Sequence, residues 1–477
     1  MNARQRQQAF LTSSDPEATL LAHLSTLVDE VPPNDSPWHP GTPLKLLLAG
    51  YSGAGNVGTE MRAGEILRQL RHLLGPGVEF SALSMGSTLP ADVLPDVTCL
   101  PLSAGYIPEV VVGATRQHHG TIACEGSMFK STFANVLSAV MAGALAAAAR
   151  GRKLSVGYGA EVADMDAPLE DFIRRHVDQS LILCRNEPSR RAAVELGLRA
   201  APGADTGWTV PASPPEAGRR LLQARGWNGH DPILTICPMN PFWWPVRPSP
   251  QMARELRRSG AHKDHHYASL FFHAASPDIE QKYRTYLTQL GHAVRDLCRI
   301  LSAFPVIVAM ERVDETACRD LSVIIAAQAS VVIGADHKVG DIVSMLRCSA
   351  LLLSSRFHGL VGAMPAGIPS IGIAMDERIR NLFSETGQAD RVVDAQDPDL
   401  ANRLVTTARR LDPVEVSRAS RQTVCNALQA MGNMGQRFLE EVGRCLPDFP
   451  LPARPASWQA HVAPLSPDIE AFLVESL

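Results

Sequence analysis

From residue 44 onward, near-continuous apolar runs of β type alternate with helical segments, and this alternation constrains the fold more than any other feature of the chain. "LKLLLAG", "VEFSALSM", "VTCLPL", "TIACEG", "KLSVGYG" and "LILCRN" are separated by stretches such as "TEMRAGEILRQLRHLL" and "EPSRRAAVELG". Strands that are apolar along their whole length and joined by helices belong to parallel sheets covered on both faces. A polar, Pro- and Gly-containing stretch near 211 to 231 interrupts the rhythm, which resumes with "PILTICPM", "PVIVAM", "SVVIGA", "ALLLSS" and "PSIGIAM". The pattern predicts an α/β chain with two doubly wound, Rossmann-like units. With 477 residues, the chain is long enough for two or three separate cores.

The expected organisation is an N-terminal helix and linker over 1–43, a first Rossmann-like domain over 44–225, a second over 226–396, and C-terminal helices with a tail over 397–477. Asp15 and Pro16 suit a helix start, whereas "VPPNDSPWHPGTP" sustains neither kind of hydrogen-bond ladder. Helices after 397 are placed to pack back across both units. "VLSAVMAGALAAAA" is too short and too rich in alanine to span a bilayer and reads as a buried helix. The N-terminus lacks the apolar run of a signal peptide, and nine cysteines without a C-x-x-C pair read as reduced thiols, so a cytoplasmic location is expected. A net charge of −4 gives no global field for nucleic acid or an anionic membrane. Any anionic ligand must be caught locally.

Ligands of open parallel sheets bind beyond the carboxyl ends of strands, so residues there are the candidates. "LLLAGYSGAGNVGTEMRAGEIL" carries Gly50, Gly53, Gly55, Asn56 and Gly58 between a strand and a helix. Its glycines permit close approach of backbone N–H groups to a ligand. The spacing matches neither the dinucleotide fingerprint nor the P-loop, so ligand loop and tight turn both stay open. "TIACEGSMFKSTFAN" offers Glu125, Gly126 and Ser127 at another junction, with Lys130 expected in the first helical turn; the plainer reading makes Ser127 an N-cap and Lys130 a solvated charge. In "LILCRNEPSRRAAVELG", Arg185 stands to fork onto a carboxylate or phosphate, or to pair with Glu187.

The strongest junction is "ALLLSSRFHGLVGAMPAG", where Arg356 supplies fixed charge and His358 a group that exchanges protons near neutral pH. "AHKDHHYASLFFH" gathers His262, His265, His266 and His273 without a zinc-like spacing and reads as a polar loop, so no metal site is expected. Trp243 and Trp244 stand between prolines, either to stack on a sugar ring or to pack at the domain seam.

"GYSGAGNVGTE", "CEGSMFKS", "CRNEPSRRAAVELG" and above all "SSRFHGLVGAMPAGIPSIGIAMDERI" occur in an order and at a spacing that resemble the polysaccharide pyruvyl transferase family, roughly over residues 44 to 390. The resemblance implies a glycosyltransferase-B-like arrangement of two Rossmann-like domains, phosphoenolpyruvate as donor substrate in the cleft, and a hydroxyl-bearing, saccharide-like acceptor. Pyruvate would be transferred as a ketal or enolpyruvyl group with release of phosphate, and no metal or redox cofactor is implied. The family's R-x-H pair falls on Arg356 and His358, as catalytic residues, and its junction arginine on Arg185. Gly53, Gly55, Asn56, Glu125, Gly126, Ser127, Lys130 and Arg378 complete the expected substrate-binding set.

This chain departs from the family pattern at the acceptor end. Thr59 precedes Glu60 where an acidic residue is usual; Cys124-Glu125-Gly126 replaces a glycine triplet; Lys130-Ser131 replaces the polar pair that follows; Met375 and Arg378 replace a tyrosine and a lysine. Two alternatives keep the fold and change the chemistry: a glycosyltransferase-like enzyme with a nucleotide-sugar donor, and a non-catalytic ligand-binding member. Nothing in the pattern specifies an oligomeric state.

Overall fold

The computed structural model describes residues 1–259, 270–325 and 329–474. Seven parallel strands form the first sheet: β1 (Leu44–Ala49), β2 (Val78–Ser84), β3 (Val97–Pro101), β4 (Gly120–Ala123), β5 (Leu154–Ala160), β6 (Leu181–Cys184) and β7 (Arg199–Pro202), in the order β3-β2-β1-β4-β5-β6-β7. β4 and β5 are buried at every position, as strands covered by helices on both faces must be.

A second sheet, also parallel, contains β8 (Ile233–Cys237), β11 (Phe304–Ala309), β12 (Ser330–Ile333), β13 (Leu351–Ser354), β14 (Ser370–Ala374) and β15 (Val392–Asp394). Its order is β12-β11-β8-β13-β14-β15. Between β8 and β11 in sequence lies a small antiparallel pair, β9 (Arg247–Pro248) and β10 (Phe271–Phe272). Strand order reverses at β1/β4 in the first sheet and at β8/β13 in the second, and crevices open at such reversals. The glycine loop, the 124–131 segment and the Arg356–His358 turn follow β1, β4 and β13 respectively, so topology alone delivers them to the two switch points.

Asp15 does cap the helix Pro16–Asp29, accepting from Ala18 N at 3.0 Å, and a second helix, Ala3–Thr12, precedes it. The alanine-rich helix Asn135–Arg150 is buried over most of its length. Gly143 lets Leu24 of the N-terminal pair lie against it, at a distance a Cβ would occupy. Among the described residues no helix is long and apolar enough to cross a membrane. Lys130 is not in a helical turn. Residues after Ala123 stay irregular until Asn135, because Phe129 pairs with Val162 as an isolated parallel bridge and its backbone is spent on Glu161 and Ala163.

After β15 the chain returns to the first sheet. The 33-residue helix Pro413–Cys445 sets Phe438 edge-on to Tyr158 of β5 at 5.7 Å, packs Met434 on Gly203, and accepts Arg199 of β7 on Glu441 through two bonds of 2.9 Å. The tail then covers this helix and Val57–Leu74. Gln69 accepts from Ala463 N at 2.8 Å, and Gly432 lies under the Trp458 carbonyl.

A Cβ at position 432 would sit 2.2 Å from the Trp458 carbonyl oxygen, which is backbone and cannot rotate away. Gly432→Ala is therefore expected to destabilise the protein by about 1–3 kcal/mol despite its better helix propensity. Denaturant unfolding followed by circular dichroism checks it; a midpoint equal to or above wild type contradicts this packing.

Candidate active site

Two loops from opposite sheets meet backbone to backbone. Val57 N donates to Met310 O at 2.8 Å, Arg312 N donates to Gly55 O at 3.0 Å, and Asn56 pairs with Glu311 as an antiparallel bridge. Gly53 and Gly55 take left-handed φ values of 80° and 73°, which glycine alone accepts without strain. Gly53 closes the loop on its own unit, its N donating to Glu60 at 2.8 Å, while Gly55 faces Arg312 and Ala335 across the seam. Neither lines the cavity that the seam encloses, whereas Asn56, which caps its helix by accepting from Thr59 N, does.

That cavity offers about 50 Å³ of room for the centre of a water molecule. Eight expected site residues border it: Asn56, Glu125, Gly126, Ser127, Arg185, Arg356, His358 and Arg378. Lys130 does not. It is fully buried and ties the two units together, pairing with Asp376 at 3.3 Å and Glu377 at 2.5 Å. Of the histidine-rich stretch, His262, His265 and His266 lie outside the described residues, and His273 stacks on Trp243 with ring centres 4.1 Å apart. Trp244 packs edge-on to Phe133.

Each cation at the cavity is engaged by carboxylates. Arg356 forks onto Asp314 with both oxygens, Nε to Oδ2 at 2.8 Å, and reaches Glu311 at 2.9 Å. Arg185 pairs with Glu161 and stands 3.3 Å from Asp205, not with Glu187, which turns to Arg190 and Arg191. Phe357 carries the Arg185 guanidinium 4.5 Å above its ring. Arg378 binds Asp376 at 2.7 Å. Arg62, fully buried, donates to Asp205 and to the carbonyls of Tyr158 and Gly159 at 3.1 and 3.0 Å. His358 Nε2 sits 3.5 Å from Asp205 Oδ1, and its Nδ1 edge packs against Gly58.

These arrangements set the charges. Burial would raise the Asp205 carboxyl, but Arg62 and His358 overcome it and hold the group well below its usual range. His358 is lowered by burial, with Asp205 partly restoring it. Desolvation takes Arg185 down to about 10, still charged at neutral pH. Asp314 is pushed up to about 6 by burial against the pull of Arg356, and Glu60 up to about 7 by burial and the nearby Glu125 charge.

Arg62, Glu161, Asp205, Glu311 and Asp314 were not among the expected site residues. Three of them lie within five residues of the end of an apolar strand: Glu161 directly after β5, Glu311 and Asp314 shortly after β11. An acidic residue at a buried strand's carboxyl end was the available signal. Arg62 sits in mid-helix, where sequence shows only a charge among helix formers.

The model of a family described as polysaccharide pyruvyl transferase matches residues 92–377, more than half of the chain. No curated protein matches it. Among solved structures, a glycosyltransferase from Rickettsia africae is similar at 10% identity and a TM-score of 0.51, over 85% of this chain and 99% of that one. The UDP-GlcNAc 2-epimerase from Methanocaldococcus jannaschii is similar at 9% identity and a TM-score of 0.50, over 77% and 92%. At these identities the likeness is one of fold: two Rossmann-like sheets in a glycosyltransferase-B-like arrangement.

The raised Glu60 pKa has a signed consequence. The folded protein binds this proton between the unfolded value near 4.5 and about 7, so stability is lost as pH rises through that window. Removing the charge in Glu60→Gln is expected to recover on the order of 3 kcal/mol at pH 8 and little at pH 4.5. Thermal unfolding of both proteins across that range tests it; a difference independent of pH contradicts the assignment.

Proposed function

Because the chain belongs to the polysaccharide pyruvyl transferase family, we propose that it transfers pyruvate from phosphoenolpyruvate to a hydroxyl-bearing, saccharide-like acceptor. The supporting observation is the convergence of Arg185, Arg356, Arg378 and His358, drawn from both sheets, on one polar cavity. Phosphoenolpyruvate presents a carboxylate and a phosphate close together, a pattern that several guanidinium forks recognise.

In this reading the donor occupies that cavity and His358 gives a proton to its methylene carbon. An acceptor hydroxyl adds at the adjacent carbon, the bond from that carbon to the phosphate oxygen breaks, and a second hydroxyl closes the ketal. One hydroxyl proton restores His358 and the other leaves with phosphate. Asp205 holds the imidazole and stabilises its charged form, as a buried, ionised carboxylate beside a histidine does.

Charge balance adds a condition. Around the cavity the carboxylates of Glu125, Glu161, Asp205, Glu311, Asp314 and Asp376 outnumber the guanidinium groups of Arg62, Arg185, Arg356 and Arg378. A doubly anionic donor therefore enters by exchange and by proton uptake. Asp314 and Glu60, raised to about 6 and about 7, and His358, lowered by burial, are the groups poised to take protons, since added negative charge raises all three.

Two outcomes are expected. His358→Gln should lower phosphate release, measured with a panel of glycoside acceptors, at least 100-fold while leaving phosphoenolpyruvate affinity within about threefold; turnover at the wild-type rate would remove His358 from the chemistry. Titration calorimetry in buffers of different ionisation enthalpy should show protons taken up on phosphoenolpyruvate binding, with affinity rising up to about tenfold per proton for each pH unit between 8 and 6. Proton release on binding would contradict the charge account.

A further inference from the structure

Beside the polar cavity lies a second, larger space, with about 250 Å³ of room for the centre of a water molecule. Asn56, Thr59, Glu125, Ser127, Arg356 and Arg378 border both, so the two adjoin along this rim. Beyond this shared rim the wall changes character. Tyr51, Ile107, Phe133, Leu137 and Trp244 line the larger space, and Phe10 closes it from the N-terminal helix.

Phe133 is the partition. The Arg378 guanidinium stands 4.3 Å from its ring centre, and Trp244 meets the ring edge-on at 5.0 Å. Val246 N donates to the Phe133 carbonyl at 2.8 Å, which fixes the tryptophan loop to the segment carrying Glu125 and Ser127. A bare sugar extending into this space would meet mostly apolar wall, with few partners beyond the rim apart from Gln7, Tyr51 and Ser103, and each unmet polar group costs free energy. An apolar group gains by entering it.

We propose that the larger cavity seats an aryl or short alkyl group carried by the acceptor, so that the acceptor is an amphiphilic hydroxyl compound, not a bare saccharide. Its hydroxyls then lie at the shared rim, where Glu125 accepts from one of them. The Glu125 carboxylate is positioned for this: Oε2 accepts from the Thr59 hydroxyl at 2.8 Å and Oε1 from Gly126 N at 2.8 Å, which fixes the side chain toward both cavities. The delivery of a hydroxyl for pyruvyl transfer rests on the function proposed above; the apolar seat does not. A third cavity, with about 280 Å³ of room, also meets Arg185, Phe357 and Arg378, but Glu187, Glu385, Thr386 and Asn426 make its wall more polar in proportion, so an apolar group gains less there.

The test is calorimetric binding of methyl, phenyl and n-hexyl β-glycosides of glucose, galactose and mannose to the full chain. The expected result is that, for at least one sugar, the phenyl or hexyl compound binds at least tenfold more tightly than its methyl partner. That preference disappears in Leu137→Trp, which fills the larger cavity, and persists in Ala427→Trp, which narrows the third. Circular dichroism and the unfolding midpoint identify folded variants, and Ile107→Trp stands in if Leu137→Trp is misfolded. Equal affinity of methyl and apolar glycosides for all three sugars overturns the proposal, as does a preference that survives the folded variant filling the larger cavity or is lost in Ala427→Trp. Phosphoenolpyruvate is titrated in parallel. Its failure to bind, with the apolar preference intact, counts against the donor assignment alone, and the reverse pattern counts against the apolar seat alone.

Discussion

Asp205 has almost no access to water, and a charge in that position survives only if the protein supplies what water would have supplied. Arg62, Arg185 and His358 supply it. The first two belong with Asp205 to the first unit, the third to the second, so a single carboxylate decides where the second unit's histidine stands relative to the first unit's arginines. Removing it would leave two guanidinium groups buried without their common partner, a situation that costs about 3–5 kcal/mol when a buried pair is broken. Positioning and stability are thus the same interaction. Arg356 is held in the same manner by Asp314 and Glu311, and Lys130 by Asp376 and Glu377.

The seam between the sheets is built from features that sequence reading assigns to ligand capture. The glycine loop spends the Val57 amide on the Met310 carbonyl and the Gly55 carbonyl on the Arg312 amide, while the Gly53 amide closes on Glu60 within its own unit. Lys130, expected to meet an anionic ligand, meets protein carboxylates. A loop at a switch point can face either a ligand or another domain, and close backbone approach requires glycine in both cases. Spacing alone does not separate the two uses.

Apolar continuity of strands and the junctions that end them made the architecture legible, because burial on both faces leaves no freedom in residue type. The same logic brought eight of eleven expected site residues to one cavity, including the Arg356–His358 pair. What stayed hidden was pairing at long range. Arg62 reads as one more charge on a helix until Asp205, 143 positions away, closes on it. Glu161 and Asp314 read as loop acids until Arg185 and Arg356 turn inward. Whether a charge faces water or a partner depends on tertiary structure, and no local window contains that information.

The return of helix Pro413–Cys445 to the first sheet has a consequence for biogenesis. β7 ends at Pro202, yet Phe438 and Met434, which cover β5 and Gly203, are made more than two hundred residues later. At translation speeds of 5–20 residues per second this leaves on the order of 10–50 s during which the nascent first unit exposes that face. The two Rossmann-like halves are therefore not independent in the order of their maturation. The earlier half must remain incomplete, and exposed to chaperones or to mispairing, until the ribosome has finished the later one.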